Sequence, residues 1–110
     1  MTKFGDIEIT QRGFGVIKFK DAYGCECSIQ ESSADGPYLW LGPSEADPKI
    51  LASQASKHGV ETDETTGWVP YPIPEEVLLT TRMHLHKEHV IELVKVLQQW
   101  LETEELKTSV

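Results

Sequence analysis

One change of period constrains this chain more than any other feature. Residues 77–85 alternate: Val77, Leu79, Thr81, Met83 and Leu85 share one side, and Leu78, Thr80, Arg82 and His84 the other, which is the two-residue period of a strand. From Lys87 to about Thr103 the period lengthens. Val90, Leu93, Val94, Leu97, Trp100 and Leu101 make one apolar stripe, with Glu92, Lys95, Gln99 and Glu102 facing away, which predicts an amphipathic helix. A chain that closes with a strand feeding a helix needs a sheet for the strand to join.

The first half supplies that sheet. Phe14, Val16, Ile17 and Phe19 form a β-rich run, and Cys25, Cys27 and Ile29 alternate on the way back. Between them Asp21-Ala22-Tyr23-Gly24 has turn chemistry, because Asp starts turns and Gly tolerates positive φ. Residues 13–30 therefore read as a hairpin, with Ile7 to Thr10 as a short strand before it. Tyr38 to Leu41 is a further strand, ended by Gly42-Pro43. Tyr38 and Trp40 are read as lying on opposite sides of it, leaving two apolar faces and room for a homodimer or higher oligomer. Asp47-Pro48 predicts a short helix that Gly59 stops. Residues 60–74 read as loop, with three alternate prolines forcing an extended path and Trp68, Tyr71 and Ile73 covering a core edge. The expectation is an α+β domain over residues 1–106: an antiparallel sheet of about 4–5 strands packed by the C-terminal helix, with a short middle helix. Residues 107–110 are expected to fray.

Charge narrows the function. The 110 residues carry 18 acids against 10 bases, a formal net charge of −8. General nucleic-acid binding is not expected, since that needs a basic surface. The excess is uneven: residues 31–76 hold nine acids and two bases, whereas 1–30 balance and 77–110 are nearly balanced. No stretch approaches the ~20 apolar residues of a membrane span, and Met1 to Thr10 has no apolar core of a secretory signal. With only Cys25 and Cys27, two apart, a reducing cytoplasmic setting is the simplest expectation.

The densest chemistry is Arg82-Met83-His84-Leu85-His86-Lys87-Glu88-His89, at the strand-to-helix junction. A helix start offers unpaired amides and positive dipole to an anion. Arg82, His84, His86, Lys87 and His89 are therefore candidate ligand contacts. Gln30, Ser32 and Ser33 add hydrogen-bonding groups, and Trp40 or Trp68 can stack on a planar ring. Cys-x-Cys and His-x-His on neighbouring strands offer a weaker zinc alternative. No nucleophile–base or acid–base pair can be assembled, so neither an enzyme nor a cofactor is expected.

Two stretches carry a resemblance. Gly15 to Ser33, followed by Tyr38-Leu39-Trp40-Leu41-Gly42, and Arg82-Met83-His84-Leu85 running into the helix that ends Trp100-Leu101-Glu102-Thr103-Glu104-Glu105-Leu106, resemble a family of small proteins carried by phages and prophages. The resemblance implies an accessory protein that blunts host defence from the host cytoplasm. One departure is His86, where a short polar helix cap would be expected. The leading expectation is sequestration of a small anionic immune signal, such as a cyclic nucleotide or an ADP-ribose-like molecule. The alternative is an acidic inhibitor of a host defence protein such as a CRISPR effector, docking through Glu61, Asp63 and Glu64. A structural or assembly component of a virion is a further alternative.

Overall fold

A computed structural model describes residues 3–106; the tail expected to fray lies outside them. The described chain forms two compact units. One comprises the segments up to Ser44 and from Arg82 onward, and the other is Glu45–Thr81.

The first unit is an antiparallel sheet and a helix, as the α+β expectation required. Strands β1 (Glu8–Ile9), β2 (Gly15–Lys20), β3 (Glu26–Glu31) and β4 (Tyr38–Pro43) follow one another as neighbours. The order β1-β2-β3-β4-β7 shows that the strand β7 (Met83–His86) returns to pair with β4. The β2–β3 turn is built as its residues dictate. The Asp21 carboxylate accepts the amides of Tyr23 and Cys25, each at 2.9 Å, and Gly24 takes φ 84°. That turn sets the register, with Val16 opposite Gln30 and Phe19 opposite Cys27.

Register sorts the side chains. Gln30 pairs with Trp40 and Trp40 with His84, so these three share one face with Tyr38, Ser28 and His86. Tyr38 and Trp40 are two residues apart and therefore lie on the same face, which corrects the expectation that they diverge. The opposite face carries Ile17, Phe19, Cys27, Ile29, Leu39, Leu41, Met83 and Leu85. Phe4 stacks on Phe19 there, with ring centroids 4.2 Å apart.

Helix α2 (Lys87–Thr103) begins where the period changes, immediately after β7. Here the structure differs from the expectation that this helix packs the sheet. Its closest element is β7, from which it emerges, and none of its residues is buried. Leu97 remains 49 % exposed and Trp100 44 %. Strand and helix are joined with no intervening loop that would let the stripe fold back.

The second unit holds β5 (Lys49–Leu51), α1 (Ala52–Ala55), a 3₁₀ turn (Ser56–His58) and β6 (Trp68–Pro70). β5 and β6 pair antiparallel, and Ala55 and Val69 are buried. The helix expected from Asp47-Pro48 is displaced. Lys49 to Leu51 are held in a ladder with β6, so helix starts only at Ala52, with Leu51 at its cap. Gly59 does end this segment, in the left-handed conformation at φ 73°. Residues 77–82 are not strand despite their alternation: the β7 ladder begins at Met83 opposite Leu41. Beyond Leu41, β4 continues with Gly42 and Pro43, and proline has no amide to extend it.

Candidate functional site

The polar face of the first unit gathers six of the residues picked out from sequence. Arg82 lies one step before β7 and reaches across β4. Its Nη1 donates to Gln30 Oε1 at 2.8 Å and to Ser28 Oγ at 3.3 Å on β3. Its guanidinium also sits over the Trp40 ring, 5.5 Å from the centroid. Each charged hydrogen bond contributes about 1.5–3 kcal/mol, and the ring contact about 0.5–1 kcal/mol. Together they hold a flexible side chain in place.

His84 is fixed from three sides. Tyr38 stacks on it at 4.7 Å and 11°, Trp40 tilts against it at 4.1 Å, and its Nε2 is 2.8 Å from Ser32 Oγ. His86 meets the edge of Tyr38 at 5.0 Å. The result is an aromatic strip, Tyr38–His84–Trp40, ending under the Arg82 guanidinium. Beside it is an open cavity of about 430 Å³, lined among others by Arg12, Phe14, Gln30, Glu31, Ser33 and Trp40. Arg12 lies over Phe14, 5.7 Å from the ring centroid. The Glu31 carboxylate in this cavity accepts the Gly15 amide. A Cβ at Gly15 would stand 2.8 Å from that oxygen, so a side chain there would push the flexible Glu31 carboxylate aside.

The charge state of this face is unusual for an acidic chain. Among the described residues the ion pairs are Lys18–Glu8, Lys49–Asp47 and Lys95–Glu92, all exposed and each contributing about 1 kcal/mol at most. Arg82, half-buried, has no carboxylate partner among them, only neutral acceptors and a ring. A partly desolvated guanidinium with neutral neighbours favours an added anion, which it can grip bidentately.

The helix start does something else. His86 is the helix cap: its Nδ1 accepts the Glu88 amide at 3.3 Å, while His89 Nδ1 accepts the His86 amide at 3.1 Å. The Lys87 amide donates to Pro37 O at 2.9 Å. Two imidazoles thus form a capping box in place of the usual hydroxyl and carboxylate. The donors that an anion would use there are already satisfied within the chain, so Lys87 and His89 stand on the helix as exposed side chains, apart from the Arg82 cluster.

The remaining candidates divide. Trp68 is in β6 of the second unit, opposite Leu51 and 66 % exposed. Glu61, Asp63 and Glu64 are exposed in the same unit and line an open cavity of about 580 Å³ with Ala52 and Ala55. The zinc alternative does not assemble, since Cys27 and the histidines of β7 are on opposite sheet faces. Among the described residues no three His, Cys, Asp or Glu side chains converge as metal ligands. Burial pushes the Cys27 thiol above its ordinary range, with the Asp21 carboxylate adding to the effect. Sequence reasoning missed Arg12 and Tyr38. Tyr38 was within reach, because the two-residue period places it beside Trp40.

Comparison with known proteins gives no match to a family model, to a curated protein or to a solved structure. Among the described residues no helix is long and apolar enough to cross a membrane.

Proposed function

We propose that this chain is a non-enzymatic binding protein that sequesters a small anionic, nucleotide-like ligand on the polar face of its five-stranded sheet. The observation that carries this reading is Arg82: half-buried, aimed by Gln30 and Ser28, laid over Trp40, and without a carboxylate partner among the described residues. A phosphate or pyrophosphate takes the guanidinium, and a planar base stacks along the Trp40 side. Ser33 and Glu31 in the adjoining cavity suit hydroxyl or exocyclic amine groups, and Arg12 supplies a second positive charge. The resemblance to phage and prophage proteins gives this binding a purpose: an accessory protein of the host cytoplasm that withdraws a cyclic nucleotide or ADP-ribose-like immune signal.

Protein expressed in cells with an active nucleotide-signalling defence, purified and then denatured, releases such a ligand for identification by mass spectrometry. Arg82→Ala purified in parallel releases none. Recovery of empty wild-type protein from signalling cells, with no thermal shift on adding cyclic nucleotides or ADP-ribose, contradicts the proposal.

A second reading rests on the other unit. Glu45–Thr81 carries seven acids against two bases, with Glu61, Asp63 and Glu64 exposed. That density suits a basic groove on a defence protein such as a CRISPR effector. Capture of such a protein that weakens steeply with salt, and is lost on neutralising those three residues, selects this reading over the first.

A further inference from the structure

Among the described residues, helix α2 leaves its apolar stripe without a partner. Val94, Leu97, Trp100 and Leu101 of that stripe are each at least 44 % exposed along a single 17-residue helix. A solvated stripe of that length forgoes most of the stabilisation that an amphipathic helix draws from packing.

The charges at its two ends indicate what covers it. A helix macrodipole favours acids at the N-terminus and bases at the C-terminus. Here neither end follows that preference. Lys87 stands in the first turn beside the single acid Glu88, the His89 ring serves as an acceptor, and the last turn has no base. Glu102 and Glu104 stand at the C-terminal end instead. Glu104 is doubly misplaced, because it is the helix cap in the left-handed conformation, at φ 58°, where glycine is preferred. It is also the one described non-glycine residue with positive φ.

Both ends also align with the stripe. Lys87 precedes Val90 and Val94 by three and seven positions, so it heads the apolar line; Glu104 follows Leu101 and Leu97 by three and seven, so it ends it. Lys87 and Glu104 are thus about 25 Å apart at opposite ends of one face.

We infer that α2 pairs with α2 of a second copy of this chain, antiparallel and stripe to stripe, so that Lys87 of each copy lies beside Glu104 of the other. In that arrangement each charge meets the favourable end of the partner's dipole, and the local penalties at Lys87 and Glu104 are offset across the interface. The helix itself is close to neutral, with two lysines and three glutamates, so two copies approach here with little repulsion although each chain carries −8. The pairing is isologous and closes as a dimer.

The test uses the full chain in analytical ultracentrifugation. Wild type sediments as a dimer of twice 12.4 kDa. Leu97→Glu, in the middle of the stripe, dissociates about ten-fold or more readily with an unchanged far-UV circular dichroism spectrum. Lys87→Glu and Glu104→Lys each weaken the dimer several-fold. Mixing those two variants restores it, because the mixed pair has opposite charges at both ends. A wild type that is monomeric from micromolar to millimolar concentration overturns the inference. So does a mixture no tighter than either variant alone, which marks a different surface, and so do single variants as tightly paired as wild type, which mark a parallel pair whose like charges already face each other. None of these outcomes depends on ligand binding at Arg82, so this pairing and the proposed function succeed or fail separately.

Discussion

The two faces of the first unit's sheet come from the same strands, offset by one residue, and they have opposite chemistry. Ile29 and Leu41 point to one side; Gln30 and Trp40, their immediate neighbours, point to the other. The apolar face needs only bulk and water exclusion, and Phe4 stacked on Phe19 is part of its cover. The polar face is organised by direction: Arg82 is aimed by two acceptors, and His84 is clamped between two rings. Substitutions on the first face should therefore be read as stability, and those on the second as binding.

The largest effect is expected on the apolar side. Ile29→Asp places an unpaired carboxylate among Ile17, Leu41 and Cys27, and should cost about 2–4 kcal/mol in denaturant unfolding. Gln30→Ala, one residue on, should cost only about 1.5 kcal/mol, the low end for a charged hydrogen bond on a half-buried side chain, while releasing Arg82 from its position. If Gln30→Ala destabilises as much as Ile29→Asp, the polar face is structural and the comparison fails. Ser28 sharpens the point, because it is buried on the polar face at 4 % exposure. Ser28→Ala should likewise lose about 1.5 kcal/mol and loosen Arg82 without freeing it, since the shorter bond to Gln30 remains.

The helix junction gives the next effect. His86→Ala removes the acceptor for the Glu88 amide and should cost about 1 kcal/mol, while His86→Asn keeps a cap and should cost little. Hydrogen exchange at Glu88 reads this locally. The smallest effect concerns the thiols. Cys25 is exposed and Cys27 buried with its thiol pushed up, so a thiol reagent should modify Cys25 first and Cys27 only on opening. The folded chain holds the Cys27 proton more tightly than the unfolded chain. Its contribution to stability is therefore present below the ordinary thiol range and falls as pH rises through and beyond it. Equal labelling of both cysteines in the folded state would contradict the burial of Cys27.

Much of the site is legible in the sequence. The Asp21–Gly24 turn sets the β2–β3 register, and the two-residue period then groups Arg82 with His84 and Gln30 with Ser28. The helix bounds were legible because a run of 17 residues with one stripe has few alternatives. Local signals failed where pairing decided the outcome. Asp47-Pro48 is a sound helix start, yet three ladder pairs with β6 hold the following residues extended. Val77 to Arg82 alternate like a strand, but the β4 edge ends in Gly42-Pro43 and offers no partner. The two histidine caps were hidden because imidazole at a helix start reads as positive charge, whereas here each ring acts as an acceptor. Arg12 joins the site through the loop before β2, which no periodicity marks.

Isothermal titration of cyclic nucleotides and ADP-ribose into wild-type protein and Arg82→Ala tests the central claim most directly. The account predicts saturable binding of at least one of these anions by wild type, weakened by rising salt, and a loss of about ten- to hundred-fold in Arg82→Ala, the worth of one charge-assisted contact. Equal affinity in the two proteins, or no heat from any of these ligands with the folded wild type, would show that the polar face is not an anion site.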